Sequence, residues 1–280
     1  MSSIDSAAPL LRTRDIACSG DFETWWNQTD VLLTPQGRER RYRVGYAASD
    51  KAVDLVQHLR YQVFNVELGE GLSASARDER DRDRFDAQMT HLILLDAATG
   101  TIAGTYRMQT ATQARAAEGL YCADYFDLEP LTPYFDQTVE LGRACLNKEH
   151  RTLRAILTLW QGIGHFVQLF DQRYLVGCSS ITTHDPDDGW RTMKSLRAQG
   201  YLHASMLLQP KAAVACGPAA RELDLTLGEA LPLPKLFRTY LKLGARVISE
   251  PAIDRDFGTV DFLTFLDGRE ITLSQLDVLN

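Results

Sequence analysis

The chain has 280 residues, 45% of them hydrophobic and 24% charged, with a formal net charge of −7 at neutral pH. That composition is globular and long enough to bury a core without disulfide or metal staples, and its negative balance lacks the basic footprint of a general nucleic-acid binder. The five cysteines form no CxxC pair and stand in no metal-ligand spacing with His184 or His203, so they read as reduced cytosolic thiols and no metal is expected.

No window is apolar for long enough to span a bilayer, and "MSSIDSAAPLLRTRDIACSG" has neither the basic start nor the apolar core of a secretory leader. The expected location is cytoplasmic. Residues 1–40 read as an N-terminal arm in which Phe22, Trp25, Trp26 and Leu33 line one side of a short helix. That helix either docks on the body of the protein or touches a membrane surface.

From Arg41 the pattern sharpens. "RYRVGYA" is strand-like, Asp50 is an expected N-cap, and "KAVDLVQHLRYQVF" repeats Val53, Val56, Leu59 and Val63 at helical spacing, with Arg60 and Phe64 sharing a face. The long charged connection "ELGEGLSASARDERDRDRFDAQMT" follows, of a length that is often functional. "HLILLDAATG" and "TIAGTYRM" then predict a hairpin. After an irregular stretch around "YCADYFDLEPL" come the strand "TVELGRACL" and a helix through "RTLRAILTLWQGIGHFVQLF". Its expected buried stripe is Leu153, Ile156, Leu157, Trp160, Ile163 and Val167. "YLVGCSS" is a continuous apolar strand, "PDDGWRTMKSLRAQG" a capped helix ending at Gly200, and "LHASMLL" a further expected strand.

Pro210, Gly217 and Pro218 mark a change of character, so the body is divided into a core over 41–209 and a C-terminal extension over 210–280 packing on it. The extension opens with the helix "PKLFRTYLKLG", closed by Gly244. Its tail alternates Val260, Phe262 and Thr264 against Asp261, Leu263 and Phe265, as a strand does. Strand, helix, hairpin, strand, helix, strand, helix, strand is an α/β order.

The stretch "VELGRACL" carries Glu140 and Arg143 inside an otherwise apolar strand, where an unpaired charge is costly. Pleating puts the two on opposite faces unless a bulge intervenes, and Gly142 is the expected seat of one. Four charged signatures sit at element ends: Arg60 with Phe64, Asp83 with Asp86, Arg107, and Glu140 with Arg143. Taken singly, each has an ordinary structural explanation.

Their order is more informative. "LRYQVF", then Asp81, Asp83, Phe85 and Asp86 as D-x-D-x-F-D, then "GTYR" and "ELGR" resemble the acyl-homoserine lactone synthases. The set is more similar still to the bacterial N-acyl amino acid synthases that include ornithine lipid N-acyltransferases. Both groups belong to the wider GNAT acyltransferase fold. The tail "YLKLGARVISEPAIDRDFGTVDFLTFLD" also resembles the ornithine-type group.

That resemblance implies a GNAT-like mixed, mostly antiparallel central sheet flanked by helices, with a C-terminal extension of helix plus strands. It implies an enzyme that moves a long-chain fatty acyl group from a thioester to the amine of an amino acid such as ornithine or glycine. The product is an N-acyl amino acid or lyso-lipid, and peripheral contact with the inner membrane is part of the expectation. No cofactor is bound, and the co-substrate is acyl carrier protein thioester or acyl-coenzyme A. The alternatives are a lactone synthase using S-adenosylmethionine, against which the long extension counts, and a non-catalytic acyl-thioester binding protein.

The same resemblance gathers Asp83, Asp86, Glu140 and Arg143 around the amine, with Arg60, Phe64 and Arg107. Glu140 is the expected base, because an amino acid amine is protonated at neutral pH. A backbone N–H between Gly142 and Cys145 is the expected oxyanion donor, which makes Gly142 a backbone requirement. Arg143, with Arg107 or Arg60, either holds the substrate carboxylate or forms a network with Asp83 and Asp86 that orders the long loop. "NKEHRTLRAIL" lacks the glycines of a pyrophosphate cradle, which counts against free coenzyme A. Its Lys148, His150, Arg151 and Arg154 are either a solvated helix start or a patch that steers an acidic carrier protein. Trp160 and Phe166 are the expected lining of an acyl tunnel. A covalent route through Cys145 would need His150 as its activating base and is disfavoured.

Overall fold

The computed structural model describes residues 41–218 and 228–270, so the arm with Phe22, Trp25, Trp26 and Leu33 lies outside the described residues. Among the described residues eight strands form one sheet: β1 (Tyr42–Tyr46), β2 (Thr90–Asp96), β3 (Thr101–Thr110), β4 (Thr138–Leu146), β5 (Tyr174–Thr182), β6 (Arg246–Val247), β7 (Ala252–Asp254) and β8 (Thr259–Asp267). The spatial order is β1-β2-β3-β4-β5-β8-β6, with β7 also on β8. Among the strand pairs of the described residues only β4–β5 is parallel.

The helices are α1 (Asp50–Tyr61), α2 (Ala111–Arg115), α3 (Leu153–Leu169), α4 (Pro186–Ala198) and α5 (Lys235–Lys242). Strand alternation sends successive residues to opposite faces. Leu92, Leu94, Tyr106 and Met108 pack under α3, whereas Ile93 packs under α1 with Ala52 and Val56. The sheet is therefore covered on both sides.

Ser49, not Asp50, caps α1, accepting from the Ala52 N–H at 3.2 Å. The helix runs on as a π-helical turn over Gln62–Glu67, which buries Val63 and Phe64. In α3 the buried side is Ala155, Ile156, Leu159, Gly162, Ile163 and Phe166, rotated from the expected stripe. Gly162 explains the rotation: a Cβ there would lie 2.7 Å from Leu92 and 2.8 Å from Val44, so the helix backbone rests directly on the sheet.

"LHASMLL" is not a strand. The His203 Nδ1 accepts from the N–H of Ser205 and Met206, curling the segment, and only Leu202 and Leu208 make single bridges, to Val247 and Ser249. The tail strand β8 pairs with β5 from Tyr174↔Asp267 to Thr182↔Thr259, in the interior of the sheet. The division expected at 209/210 thus falls across elements that share one continuous sheet.

Candidate active site

β4 and β5 pair only from Thr138↔Tyr174 to Glu140↔Val176 and then separate. On its other edge β4 slips against β3: Thr105 faces Cys145, but Arg107 faces Gly142, so β4 carries one extra residue. The left-handed residue of this bulge is Arg143, at φ 47°. The expectation for Gly142 is corrected accordingly: it is not in the left-handed region, and a Cβ there would meet nothing within 4 Å. The bulge also removes the face conflict, because Glu140 and Arg143 both line the cavity that opens between the parted strands.

That cavity has a volume of about 490 Å³ and passes between the two faces of the sheet. Toward α3 and α5 it is apolar, lined by Ile156, Leu159, Trp160, Tyr240 and Leu266, with the hydroxyls of Tyr106 and Tyr240 bonded to each other. Toward the opposite face it is polar, lined by Arg107, Tyr121, Glu140, Arg143, Asp254 and Asp261. Phe64 also lines it, its ring edge-on to Phe257 at 5.2 Å. Trp160 lines the apolar side of this cavity. Phe166 does not: it is fully buried against Tyr46 and Phe170, away from the cavity.

Beside the polar chamber lies a closed ionic network. Arg60, fully buried, donates from Nε to Asp81 at 2.8 Å and from its two terminal nitrogens to Asp86 at 2.9 and 3.1 Å. Arg107 donates to Asp83 at 2.6 Å and Asp86 at 2.7 Å, and Arg143 donates to Asp83 at 3.0 Å with its Nε 3.2 Å from Asp81. Gln57 adds a bond to Asp86 at 3.1 Å. These arginines and aspartates cancel in charge, as buried ions must. Burial alone would raise the Asp86 carboxyl, but Arg60 and Arg107 reverse this and hold it well below the usual carboxylate range. Arg107 and Arg143 do the same for Asp83. Burial pushes His91, whose Nε2 lies 3.1 Å from the Asp86 carbonyl, down to about 4 and so keeps it neutral.

Of the two roles open to the arginines, ordering the long loop is therefore built into the structure. Arg60 does not reach the cavity, which corrects its expected place at the substrate. Arg107 and Arg143 do reach it. The buried Arg107 Nε carries no hydrogen bond, leaving donor capacity, and the Arg143 guanidinium lies over the rings of Tyr121 and Phe257, at 5.2 and 4.5 Å.

Glu140 is held from three directions, accepting from Gln109 at 2.8 Å and from the N–H groups of Tyr121 and Cys122 at 2.9 and 2.8 Å. Two further carboxylates complete the chamber, and sequence reasoning missed both as site residues. Asp254 accepts from the hydroxyls of Tyr121 and Tyr125 at 3.0 and 2.6 Å. Asp261 accepts from Thr259 at 2.8 Å, and burial followed by its neighbour Asp254 raises it to about 6. The available signal was an acid in the middle of the apolar run "VDFLTFL".

An acetyltransferase (GNAT) domain model matches residues 59–161. The L-ornithine N(alpha)-acyltransferase of Agrobacterium fabrum (strain C58 / ATCC 33970) is 32% identical over 246 residues, which are 82% of this chain and 82% of the relative. That of Brucella abortus (strain 2308) is 31% identical over 255 residues, 82% of this chain and 85% of its own. The chain belongs to this acyltransferase family. It is an N-acyltransferase, and the expected GNAT-like sheet is the one observed. Among solved structures, FeeM, an N-acyl amino acid synthase from uncultured soil microbes, is similar at TM-score 0.48 and 11% identity over 84% of this chain and 97% of its own. TofI, in a ternary complex with an inhibitor and MTA, is similar at TM-score 0.48 and 16% identity over 85% of this chain and 97% of its own.

In this acyltransferase the basic segment after β4 divides. Lys148 and Arg154 are exposed. His150 is buried, its Nδ1 3.2 Å from the Tyr42 hydroxyl, which removes it from the expected carrier-facing patch. Arg151 gives both terminal nitrogens to Glu67, at 2.6 and 2.8 Å, so its charge is already partnered. The start of α3 is capped by the Thr152 hydroxyl, which accepts from Ala155 at 3.2 Å. Cys145 is buried and its thiol pushed up to about 12, and His150 is turned away to Tyr42, so the pair is not set up for covalent catalysis. Among the described residues no cluster of three or more His, Cys, Asp or Glu could hold a metal, and no helix is long and apolar enough to cross a membrane.

Proposed function

We propose that the enzyme transfers a long-chain acyl group from an acyl carrier protein thioester to the α-amine of L-ornithine or a similar amino acid. The observation that carries this reading is the cavity at the β4–β5 separation, apolar on the α3/α5 side and polar on the other. The acyl chain occupies the apolar limb, and the thioester carbonyl sits between the parted strands. The amino acid enters the polar chamber with its carboxylate toward Arg107 and Arg143.

The amine nitrogen attacks the thioester carbon, the C–S bond breaks, and the thiol leaves on the carrier. The ammonium first gives one proton to Glu140, whose Oε1 accepts from the Cys122 N–H, and the second N–H proton, shed as the tetrahedral intermediate collapses, protonates the departing sulfur. Backbone N–H groups of the bulged segment Gly142 to Cys145 stabilise the tetrahedral oxyanion. Carrier protein is favoured over free coenzyme A because the helix after β4 begins on a threonine cap, without a glycine cradle for pyrophosphate. Lys148 and Arg154 offer the acidic carrier an exposed basic contact. Peripheral membrane contact belongs to the same reading, since the product is an amphiphile.

The test is a matrix of donors and acceptors with purified enzyme, read by mass spectrometry. Acyl carrier protein thioester with ornithine should give N-acyl ornithine, and acyl-coenzyme A should give much less. Equal turnover of both donors would refute the carrier assignment.

A further inference from the structure

The charges facing the cavity do not balance. Arg107 and Arg143 are matched by Asp81, Asp83 and Asp86. Glu140, Asp254 and Asp261 also line the cavity, and among the described residues none of the three has a cationic side chain at ion-pair distance. Carboxylates enclosed without a cation are costly unless the ligand brings one. The amine that attacks the thioester must shed its proton, so it supplies no lasting positive charge.

Sheet register places two of these acids together. Asp261 faces Ala252 across the β7–β8 pair, and Asp254 faces Thr259, so the two aspartates are diagonal neighbours. Ala252 and Leu263 pack in the same cluster, which by strand alternation puts Asp254 and Asp261 on that same face. Diagonal positions stand about 7–8 Å apart, so an ammonium group donating to Asp261 also feels the charge of Asp254, whose own acceptor sites are filled. The side chain of Asp261 is 97% buried by its 3% exposure, and its hydrogen bond to the Thr259 hydroxyl leaves its charge unmatched. Asp254 is oriented by two tyrosine hydroxyls on Oδ2 and by the N–H groups of Asp256 and Phe257 on Oδ1.

We infer that Asp261, with Asp254 beside it, receives a second ammonium group on the acceptor amino acid, so that the enzyme selects diamino acids over neutral ones of similar length. This rests on the acyl-transfer reading of the cavity and deepens it. Glu140 takes a proton from the reacting amine, while Asp261 holds the far end of the side chain and Asp254 adds negative charge beside it.

The experiment compares ornithine with norvaline, its counterpart without the second amine, at saturating acyl donor. Wild type should favour ornithine in kcat/KM by about 10²-fold or more, since a site built for a polar group strongly rejects the analogue that lacks it. Asp261→Asn should erase most of that preference through a raised KM for ornithine, with circular dichroism and cooperative unfolding reporting an intact fold. An equal fall in kcat for both amines would overturn the inference and place Asp261 on the reacting amine instead. The wild-type ratio needs no variant: turnover of both amines without preference would overturn the receptor alone. Turnover of neither amine would overturn the substrate reading and the receptor with it.

Discussion

Replacing Arg60 by Met tests whether the ionic network holds the site. Arg60 is completely buried and gives three hydrogen bonds to Asp81 and Asp86, so its loss leaves three buried aspartates facing two arginines. Removing one partner of a buried ion pair costs about 3–5 kcal/mol. For a chain of this size that is a fall in melting temperature of about 6–20 °C. The control is Arg84→Met: Arg84 also pairs with a carboxylate, Asp124 at 2.7 Å, but their side chains are 54% and 42% exposed. Such an exposed pair contributes less than about 1 kcal/mol.

The network also has a pH signature. Asp83 and Asp86 are held below their unfolded value near 3.8, so the stability they contribute is complete above that pH. It is lost as the pH falls through their lower native values. Wild type and Arg60→Met should therefore differ most near neutrality and converge in acid. Urea unfolding at several pH values reads both effects. An Arg60→Met protein within about 1 kcal/mol of wild type at pH 7 would refute the reasoning, because the buried aspartates would then be tolerating the loss of their cation.

Asp261 should give the opposite pH trend. It rises from 3.8 to about 6 on folding, facing Asp254, Arg143 and the hydroxyls of Thr259 and Ser180, so ionising it destabilises the native state. The loss grows between about pH 4 and 6 to roughly 3 kcal/mol, and Asp261→Asn should be more stable than wild type at pH 8 in the same urea assay. A lower stability for that variant at pH 8 would count against an uncompensated buried carboxylate. Gly162→Ala should destabilise by about 1–3 kcal/mol, because its Cβ would press on Leu92 and Val44. Gly142→Ala should leave melting unchanged yet slow acyl transfer, since its methyl would enter open cavity space. Trp160→Ala should shift donor preference toward longer chains, measured with a ladder of acyl carrier protein thioesters; an unchanged optimum would remove Trp160 from the acyl limb.

Much of the fold was legible because its signals are local. The β2–β3 hairpin, the helix ends at Gly200 and Gly244, and the alternating tail strand follow from turn chemistry and periodicity. What was not legible depends on contacts across the sheet. The phase of α3 is set by Gly162 seated on Leu92, and apolar periodicity cannot see that contact. "LHASMLL" looks like a strand until His203 bonds the backbone ahead of it.

At the site, the charged residues were visible, but their division of labour was not. Arg60 and Arg107 look equivalent in sequence, and only packing turns one inward to Asp81 and brings the other to the cavity. The bulge was foreseen, yet the left-handed position fell on Arg143 because the extra residue enters after Gly142. Asp254 and Asp261 gain meaning only once β7 and β8 pair and bring them onto one face.

The most direct test of the account is lipid mass spectrometry on a bacterial host expressing the enzyme, beside the same host expressing Glu140→Gln, with both proteins checked for melting temperature. A new N-acyl amino acid, with ornithine as the amine, is expected, and it should disappear in the folded Glu140→Gln strain. The same product at the same level in both strains would contradict Glu140 as the proton acceptor, and a new acyl product lacking an amide to an amino acid would contradict the reaction itself.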